Sequence, residues 1–173
     1  QFAPKNPERP DYLDVTDIDT VISLKAETHN FPTTVEPFNG AATGTGGEIR
    51  DRLGGGMASL PIAGTAVYMT AYPRSEADRK WEMVTMPPRN WLYQTPEEIL
   101  IKASNGASDF GNKFGQPLIC GSLLTFEHEE NGNQYAYDKV IMLAGGVGFA
   151  NKRDAIKGTP EPGEKVVLMG GDN

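Results

Sequence analysis

Apolar and β-branched residues recur along the chain in runs whose length is typical of strands. The runs predicted to be strands are Thr20–Leu24, Pro61–Thr70, Pro117–Phe126, Gln134–Ala144 and Val166–Met169. Asn131-Gly132 lies between the third and fourth runs and is a strong signal for a tight hairpin that joins them. The charged, proline-bounded stretch from Arg74 to Arg89 predicts a loop.

One long helix has a complete start signal. Thr95 is a candidate N-cap, Pro96 suits the first helical position, and Glu98 completes a capping box. Apolar residues then recur on one helical face, and the helix is predicted to end near Gly111. These residues are Ile99, Leu100, Ala103, Ala107 and Phe110. Strands in mixed order with this helix predict an α+β fold, an α/β sandwich with a mixed sheet.

A glycine-rich segment, Asn39–Gly47, comes before Glu48–Leu53. We expect the first to be a loop that lets backbone approach a ligand and the second to be a short helix, an arrangement that suits phosphate. The segment lacks the Gly-Lys-Ser/Thr ending of a P-loop and the glycine spacing of the dinucleotide fingerprint. An ordinary flexible turn is therefore the alternative.

Chemistry is expected on the first strand. If this strand continues through His29, alternation places Lys25, Glu27 and His29 on one face, with Thr28 and Asn30 on the other. Burying such groups without pairing or a ligand costs several kcal/mol, roughly, so this face should line a polar site.

Each charged residue has two interpretations. His29 is either a structural histidine or a base that contacts a ligand. Glu27 and Asp51 are either surface carboxylates, paired with Lys25 and Arg50, or oxygen ligands of magnesium. Arg50 is either a helix-surface charge or a phosphate-binding fork.

Composition narrows the class of protein. The chain has 173 residues, 38% of them hydrophobic, and a formal net charge of −7. The negative charge opposes nucleic-acid binding, and without a long apolar run we expect no membrane partner and a cytoplasmic location. Cys120 is predicted to lie in a buried strand, and His128 to be a solvated loop residue. With one cysteine and two histidines, a zinc site is not expected.

Two motifs carry a family resemblance. Lys25-x-Glu-Thr-His-Asn30, followed by Glu36-Pro-x-x-Gly-Ala-Ala-Thr-Gly-x-Gly-Gly-x-Ile-Arg-Asp51, closely resembles the phosphoribosylformylglycinamidine synthase family. The similarity extends through Pro61–Gly64, Asp109–Pro117 and Ile141–Gly146. Many relatives have a second histidine where this chain has Phe31.

The resemblance implies roles for single residues. It implies that Lys25 contacts ATP and that Glu27 and Asp51 bind magnesium. It implies that Thr28, His29, Asn30 and Arg50 bind substrate, with His29 as general base.

The resemblance also implies a reaction of purine biosynthesis, an ATP-dependent carbon–nitrogen ligation. ATP would activate the formamide oxygen of formylglycinamide ribonucleotide, and glutamine-derived ammonia would displace phosphate to give the amidine. Magnesium and ATP are then required, with formylglycinamide ribonucleotide and the rest of the synthetase as partners. Another ATP-using enzyme of the same superfamily, or a non-catalytic scaffold domain, is the alternative.

The implied domain is the amino-terminal half of the ATPase unit, similar to aminoimidazole ribonucleotide synthetase. Such domains pair through their sheets into a barrel, so a homodimer through the sheet is an expected partner. We expect residues 1–19 to be a linker or cut end, 20–160 the catalytic domain, and 161–173 the start of an ATP-binding domain. The isolated domain is expected to be inactive.

Overall fold

The computed structural model describes residues 2–76, 79–82 and 94–171. The helices are α1 (Asn30–Val35), α2 (Pro37–Leu53) and α3 (Pro96–Phe114), with short 3-10 turns at Lys80–Glu82 and Lys152–Asp154. The strands are β1 (Phe2–Pro4), β2 (Leu13–Val15), β3 (Thr20–Thr28), β4 (Leu60–Thr70), β5 (Leu118–Thr125), β6 (Glu127–Glu130), β7 (Asn133–Ala136) and β8 (Ile141–Asn151).

A four-stranded mixed sheet in the order β3-β8-β4-β5 is the centre of the fold. Strand β8 is antiparallel to both β3 and β4, whereas β4 and β5 are parallel. Buried residues of the sheet, such as Tyr68, Met142 and Ala144, form the core with Ile99 and Ala103 of α3. The α+β class with a mixed sheet and packed helices is therefore confirmed.

The predicted start of α3 is confirmed in detail. The Thr95 side chain accepts a hydrogen bond from the Glu98 N–H at 3.2 Å, and the Glu98 carboxylate accepts one from the Thr95 N–H at 2.9 Å. These contacts with Thr95 lower the pKa of Glu98. The helix continues to Phe114, slightly past the expected end, because Gly115 supplies the left-handed cap with φ 99°.

The predicted glycine loop is wrong, because Asn39–Gly47 lies inside α2. Pro37 begins this helix, and its glycines serve as points of close contact. A Cβ added at Gly40 would lie 2.6 Å from the backbone of Pro32 and Thr33. Glycine is thus used here for its small size, which lets α1 pack directly on the backbone of α2.

The predicted hairpin is correct in its turn but wrong in its strands. Asn131 and Gly132 both have positive φ, 53° and 77°, as a two-residue hairpin loop requires. The turn joins only the short strands β6 and β7. The longer runs do not pair with each other, since β5 lies beside β4 and β8 lies between β3 and β4.

Three further predictions are wrong in whole or in part. Val166–Met169 forms no strand, and its side chains are exposed. Cys120 does lie in a strand, but β5 is an edge of the sheet and the cysteine is exposed. His128 lies in β6 rather than in a loop, and its exposed ring stacks on Tyr135. The loop predicted for Arg74–Arg89 lies largely outside the described residues.

The sheet is open in the part of the chain that the structure describes, with β3 and β5 as its edges. The helices cover one face, whereas Ile22 and Leu24 on the other face are 75% and 74% exposed. The pairing of sheets into a barrel stays a prediction, as do the domain boundaries near residues 19 and 160. Among the described helices, none combines the length and apolarity needed to cross a membrane.

Candidate functional site

Strand β3 separates its residues into two faces, as predicted. Val21, Ser23, Lys25 and Glu27 are half-buried, and the residues between them are exposed. The half-buried face lies toward α2, because a Cβ added at Gly47 of that helix would lie 3.2 Å from Glu27 Cγ. Thr28 belongs to the exposed face, so the structure does not bring it together with Lys25 and Glu27.

Lys25 is the centre of a charged cluster, which we define as Lys25, Glu27, Arg50 and Asp51. The Lys25 Nζ lies 2.6 Å from Asp51 Oδ2 and 3.2 Å from Glu27 Oε2. Asp51 reaches this position because it lies on the last turns of α2, across from β3. Strand β3 contributes Lys25 and Glu27 to the cluster, and helix α2 contributes Arg50 and Asp51.

The charges in the cluster alter each other's protonation. The hydrogen bond to Asp51, followed by the one to Glu27, raises the pKa of the Lys25 ammonium. Lys25 in turn lowers the pKa of the Asp51 carboxyl, and Arg50 adds a smaller contribution in the same direction. The Lys25–Asp51 contact therefore stabilises the charged form of both groups.

Arg50 points its guanidinium along α2 beside two glycines. A Cβ added at Gly46 would lie 2.6 Å from Arg50 Nη1, and one added at Gly47 would lie 4.0 Å from Nη2. Arg50 is exposed and forms no salt bridge within the described ranges. It is therefore a cation whose fork is available to an anion.

His29 lies near the cluster but on a different element. Strand β3 ends at Thr28, and His29 is the N-cap of α1, with its backbone N–H donating to Met142 C=O at 3.0 Å. The Cβ of His29 lies close to Gly44, where an added Cβ would be 2.9 Å away. Gly44 and Gly47 lie about one turn apart on α2. His29 and Glu27, which contact these two glycines, therefore lie side by side along α2.

A cleft of about 390 Å³ opens beside His29. Its lining residues include Phe31, Glu36, Asn39 and Thr43. Asn39 and Thr43 belong to the glycine-rich segment that the sequence predicts to approach a ligand. Phe31, at the position where many relatives have a second histidine, is 51% exposed there. The cleft has room for a ligand group next to the imidazole.

Asn30 has a structural role on its oxygen side. Its Oδ1 accepts a hydrogen bond from the Met142 N–H at 3.0 Å, which fastens α1 to β8. The adjacent Thr34 donates to the Asn30 C=O at 3.1 Å. Asn30 therefore holds the turn after β3 in place, and its amide NH₂ is the part left for a ligand.

Glu27 and Asp51 are the two carboxylates of the charged cluster that could bind a metal ion. Glu27 and Asp51 both reach within 3.2 Å of one Lys25 atom, so their oxygens converge. No set of three or more histidine, cysteine, aspartate or glutamate side chains converges among residues 2–76, 79–82 and 94–171. Two carboxylates without a third donor suit Mg²⁺, which completes its coordination with waters and phosphate oxygens.

Comparison with known proteins finds relatives over most of the chain. The chain is 44% identical over 153 residues to a probable phosphoribosylformylglycinamidine synthase of Caenorhabditis elegans, covering 84% of this chain and 11% of that protein. It is 40% identical over 173 residues to the human phosphoribosylformylglycinamidine synthase, covering 98% of this chain and 13% of that protein. The chain thus spans only about an eighth of the length of these curated relatives. No family model matches it.

Solved structures agree on the fold. The structure of Thermotoga maritima PurL complexed with FGAR matches with a TM-score of 0.50 and 24% identity, covering 79% of this chain and 17% of that one. PurL complexed with ATP matches with a TM-score of 0.50 and 22% identity, over 88% of this chain and 20% of that one.

Proposed function

We propose that this chain, which belongs to the phosphoribosylformylglycinamidine synthase family, supplies the phosphate- and magnesium-binding half of a site that converts formylglycinamide ribonucleotide to its amidine. The observation that carries this proposal is the charged cluster. Lys25 lies between two converging carboxylates, and beside them lies Arg50, which forms no salt bridge with the described residues. This set of charges matches what a magnesium-bound nucleotide and a ribose phosphate require.

In this proposal Glu27 and Asp51 hold Mg²⁺, which supplies charge compensation for the ATP phosphates. Lys25 is then no longer the counter-ion of the carboxylates, and its ammonium contacts phosphate. Arg50 anchors the ribose phosphate of the substrate through its planar fork. Thr28 and the free NH₂ of Asn30 contribute substrate contacts at the end of β3.

The chemistry is an exchange of oxygen for nitrogen at the formamide carbon. ATP transfers phosphate to the formamide oxygen, ammonia attacks the carbon, and phosphate leaves with that oxygen. The nitrogen must lose a proton as the amidine forms, and His29, beside its open cleft, accepts it. The ammonia comes from glutamine, at a site that other parts of the synthase supply.

The exposed apolar face of the sheet supports a partner domain that packs on it. Ile22, Leu24 and Ile119 are each at least half exposed there. A second domain of the same type, from the same synthase or from a second copy of the chain, would cover this surface by sheet-to-sheet packing. The cytoplasm is the location we propose, although the Arabidopsis relative is named a chloroplastic/mitochondrial form.

The test of His29 separates catalysis from binding. In a complete synthase that contains this region, His29→Ala should lower turnover by about a hundredfold, because a general base acts in the transition state. Binding of Mg·ATP should change little. A loss of turnover no larger than the loss of Mg·ATP affinity would contradict the assignment.

The test of Arg50 concerns the substrate. Arg50→Ala should raise the Michaelis constant for formylglycinamide ribonucleotide, since it removes a ground-state phosphate contact. Arg153→Ala is the matched control, because Arg153 is an exposed arginine on the 3-10 turn at Lys152–Asp154. An unchanged constant in Arg50→Ala would remove Arg50 from the phosphate-binding role.

A further inference from the structure

A buried polar cluster lies beside Asp51 on α2. It consists of Glu48 and Arg52 of α2 and Gln116, which follows α3, and their exposures are 0%, 2% and 0%. The Arg52 Nε donates to Glu48 Oε2 at 2.8 Å, and Gln116 Nε2 donates to Glu48 Oε1 at 2.5 Å. Arg52 Nη2 also donates to Gln116 Oε1. Each of the three side chains is thus hydrogen-bonded to the other two, while Arg52 Nη1 is buried without a hydrogen-bond partner among the described residues.

The sheet is shaped to receive this cluster. A Cβ added at Gly146 of β8 would overlap Arg52 Nη2 and lie 2.8 Å from Glu48 Oε2. A Cβ added at Gly64 of β4 would lie 2.5 Å from Gln116 Nε2. Only glycine at both positions lets the cluster lie directly on the two central strands.

Gly146 is also the residue that faces Lys25 across the β3–β8 ladder. The cluster therefore holds α2 against the sheet at the level of Lys25. Asp51, which binds Lys25 at 2.6 Å, lies between Glu48 and Arg52 in the sequence of the same helix. The position of Asp51 relative to Lys25 depends on how α2 is placed at this level.

The buried surface of α2 contains few large apolar side chains. Its buried residues besides the cluster are Pro37, Gly40, Ala41, Gly44, Thr45, Gly46 and Ile49. Only Ile49 among them is a large apolar side chain, and the glycines contribute close contacts through the backbone. The cluster adds directional contacts, because a shift of α2 would break the hydrogen bonds of Glu48 and Arg52 to Gln116.

We propose that the Glu48–Arg52–Gln116 cluster positions α2 on the sheet so that Asp51 meets Lys25. These three are positioning residues that touch no ligand. The effect on the Lys25–Asp51 contact is independent of the proposed function, and only its consequence for Mg·ATP binding rests on that function.

The experiment replaces the cluster with apolar side chains of similar volume in the full chain, as Glu48→Leu/Arg52→Met/Gln116→Leu. This change removes one negative and one positive charge, so the net charge is constant. Such replacements are commonly neutral or stabilising for the fold, which separates positioning from stability. The readout is the distance between Lys25 Nζ and Asp51 Oδ2 in a crystal structure of the variant, which is 2.6 Å in the wild type.

We expect the contact between Lys25 and Asp51 to be lost in the folded triple variant, as α2 loses its fixed position on the sheet. A Lys25–Asp51 contact that stays as in the wild type would overturn the proposal. If the triple variant does not fold, Gln116→Leu decides the question, because it leaves the Glu48–Arg52 ion pair intact. Ile99→Val is the control, since it weakens the core at α3 and should leave the Lys25–Asp51 contact unchanged.

A second readout is the Mg²⁺ requirement for ATP binding by a complete synthase. It should rise about tenfold in the same variants, as is usual when groups that orient a metal ligand are removed. Loss of the Lys25–Asp51 contact with unchanged Mg²⁺ dependence would keep the positioning role and contradict the proposed function instead.

Discussion

Helices α2 and α3 lie side by side but are built on different principles. Helix α3 has a capping box at its start, an apolar stripe and a glycine cap at its end. Helix α2 has no side-chain cap, and its buried surface consists mostly of glycine, small residues and a buried ion pair. Helix α3 follows from local sequence signals, whereas α2 is stabilised by the elements that pack on it. The candidate site residues lie on or beside α2.

Gly40→Ala tests whether packing overrides helix propensity in α2. Propensity alone predicts a gain of about 1 kcal/mol for this change. The added methyl group would instead meet backbone atoms of Pro32 and Thr33 that cannot rotate away. We expect a net loss of roughly 2 kcal/mol in the free energy of unfolding, measured by urea denaturation.

Asn105→Ala is the control for Gly40→Ala, because Asn105 is exposed on α3. It should stabilise the chain by about 0.5 kcal/mol, as propensity predicts. A stabilising Gly40→Ala would show that α2 and α3 do not differ in this way.

Gly47→Ala separates binding from stability. The new Cβ would lie 3.2 Å from Glu27 Cγ, and this flexible side chain can move aside. Stability should therefore change by less than about 1 kcal/mol, with the propensity gain offsetting the contact. Mg·ATP affinity in a complete synthase should fall about tenfold, because Glu27 is displaced. Unchanged affinity by calorimetry would argue against Glu27 as a magnesium ligand.

Thr95→Ala provides the converse case on α3. Loss of the N-cap should cost about 1 kcal/mol in urea denaturation, because the Glu98 N–H loses its acceptor. Mg·ATP affinity should stay at the wild-type value, since the cap contributes nothing to the charged cluster. A loss of affinity in this variant would show that α3 also positions the site.

Lys25→Met should produce the smallest change, in the pH dependence of stability. The pKa of Asp51 is lowered, so its contribution is present above the pKa of the unfolded chain and is lost as pH falls through the lower folded value. The pKa of Lys25 is raised, so its contribution is present below the unfolded pKa and is lost as pH rises through the folded value.

Because Lys25→Met removes the pair, urea denaturation across pH should show a flatter profile at both ends. Lys113→Met is the control, because it removes a lysine–aspartate pair of similar length on the exposed side of α3. The comparison shows how much of the change is specific to the Lys25 pair. A Lys25→Met profile that matches the wild type would mean that the Lys25 pair does not form in solution.

The contrast between the helices also explains what could be predicted from the sequence. The start of α3, the strand at Pro61–Thr70 and the Asn131-Gly132 turn rest on local rules, and all three are present. The alternation that puts Lys25 and Glu27 on one face is local too. The helical state of Asn39–Gly47 was missed because a glycine run signals flexibility within the chain, while its use as a contact surface depends on distant residues.

Contacts between residues far apart in the chain were harder to predict from the sequence. The spacing of Glu48 and Arg52 allows an ion pair on a helix, but nothing local shows that it is buried or that Gln116 joins it. The pairing of β8 between β3 and β4 could not be read from the hairpin signal, because the turn fixes only its adjacent strands. The family resemblance supplied the roles of the site residues, which local patterns left open.

The most direct measurement of the central claim is the Mg²⁺ dependence of ATP binding by a complete synthase, compared between wild type and Asp51→Asn. Asp14→Asn is the control, because Asp14 of β2 is an exposed carboxylate that pairs with Lys5. We predict that Asp51→Asn raises the Mg²⁺ concentration needed for ATP binding about tenfold or more, while Asp14→Asn leaves it unchanged. Equal Mg²⁺ dependence in wild type and Asp51→Asn would contradict the assignment of the charged cluster as the magnesium site.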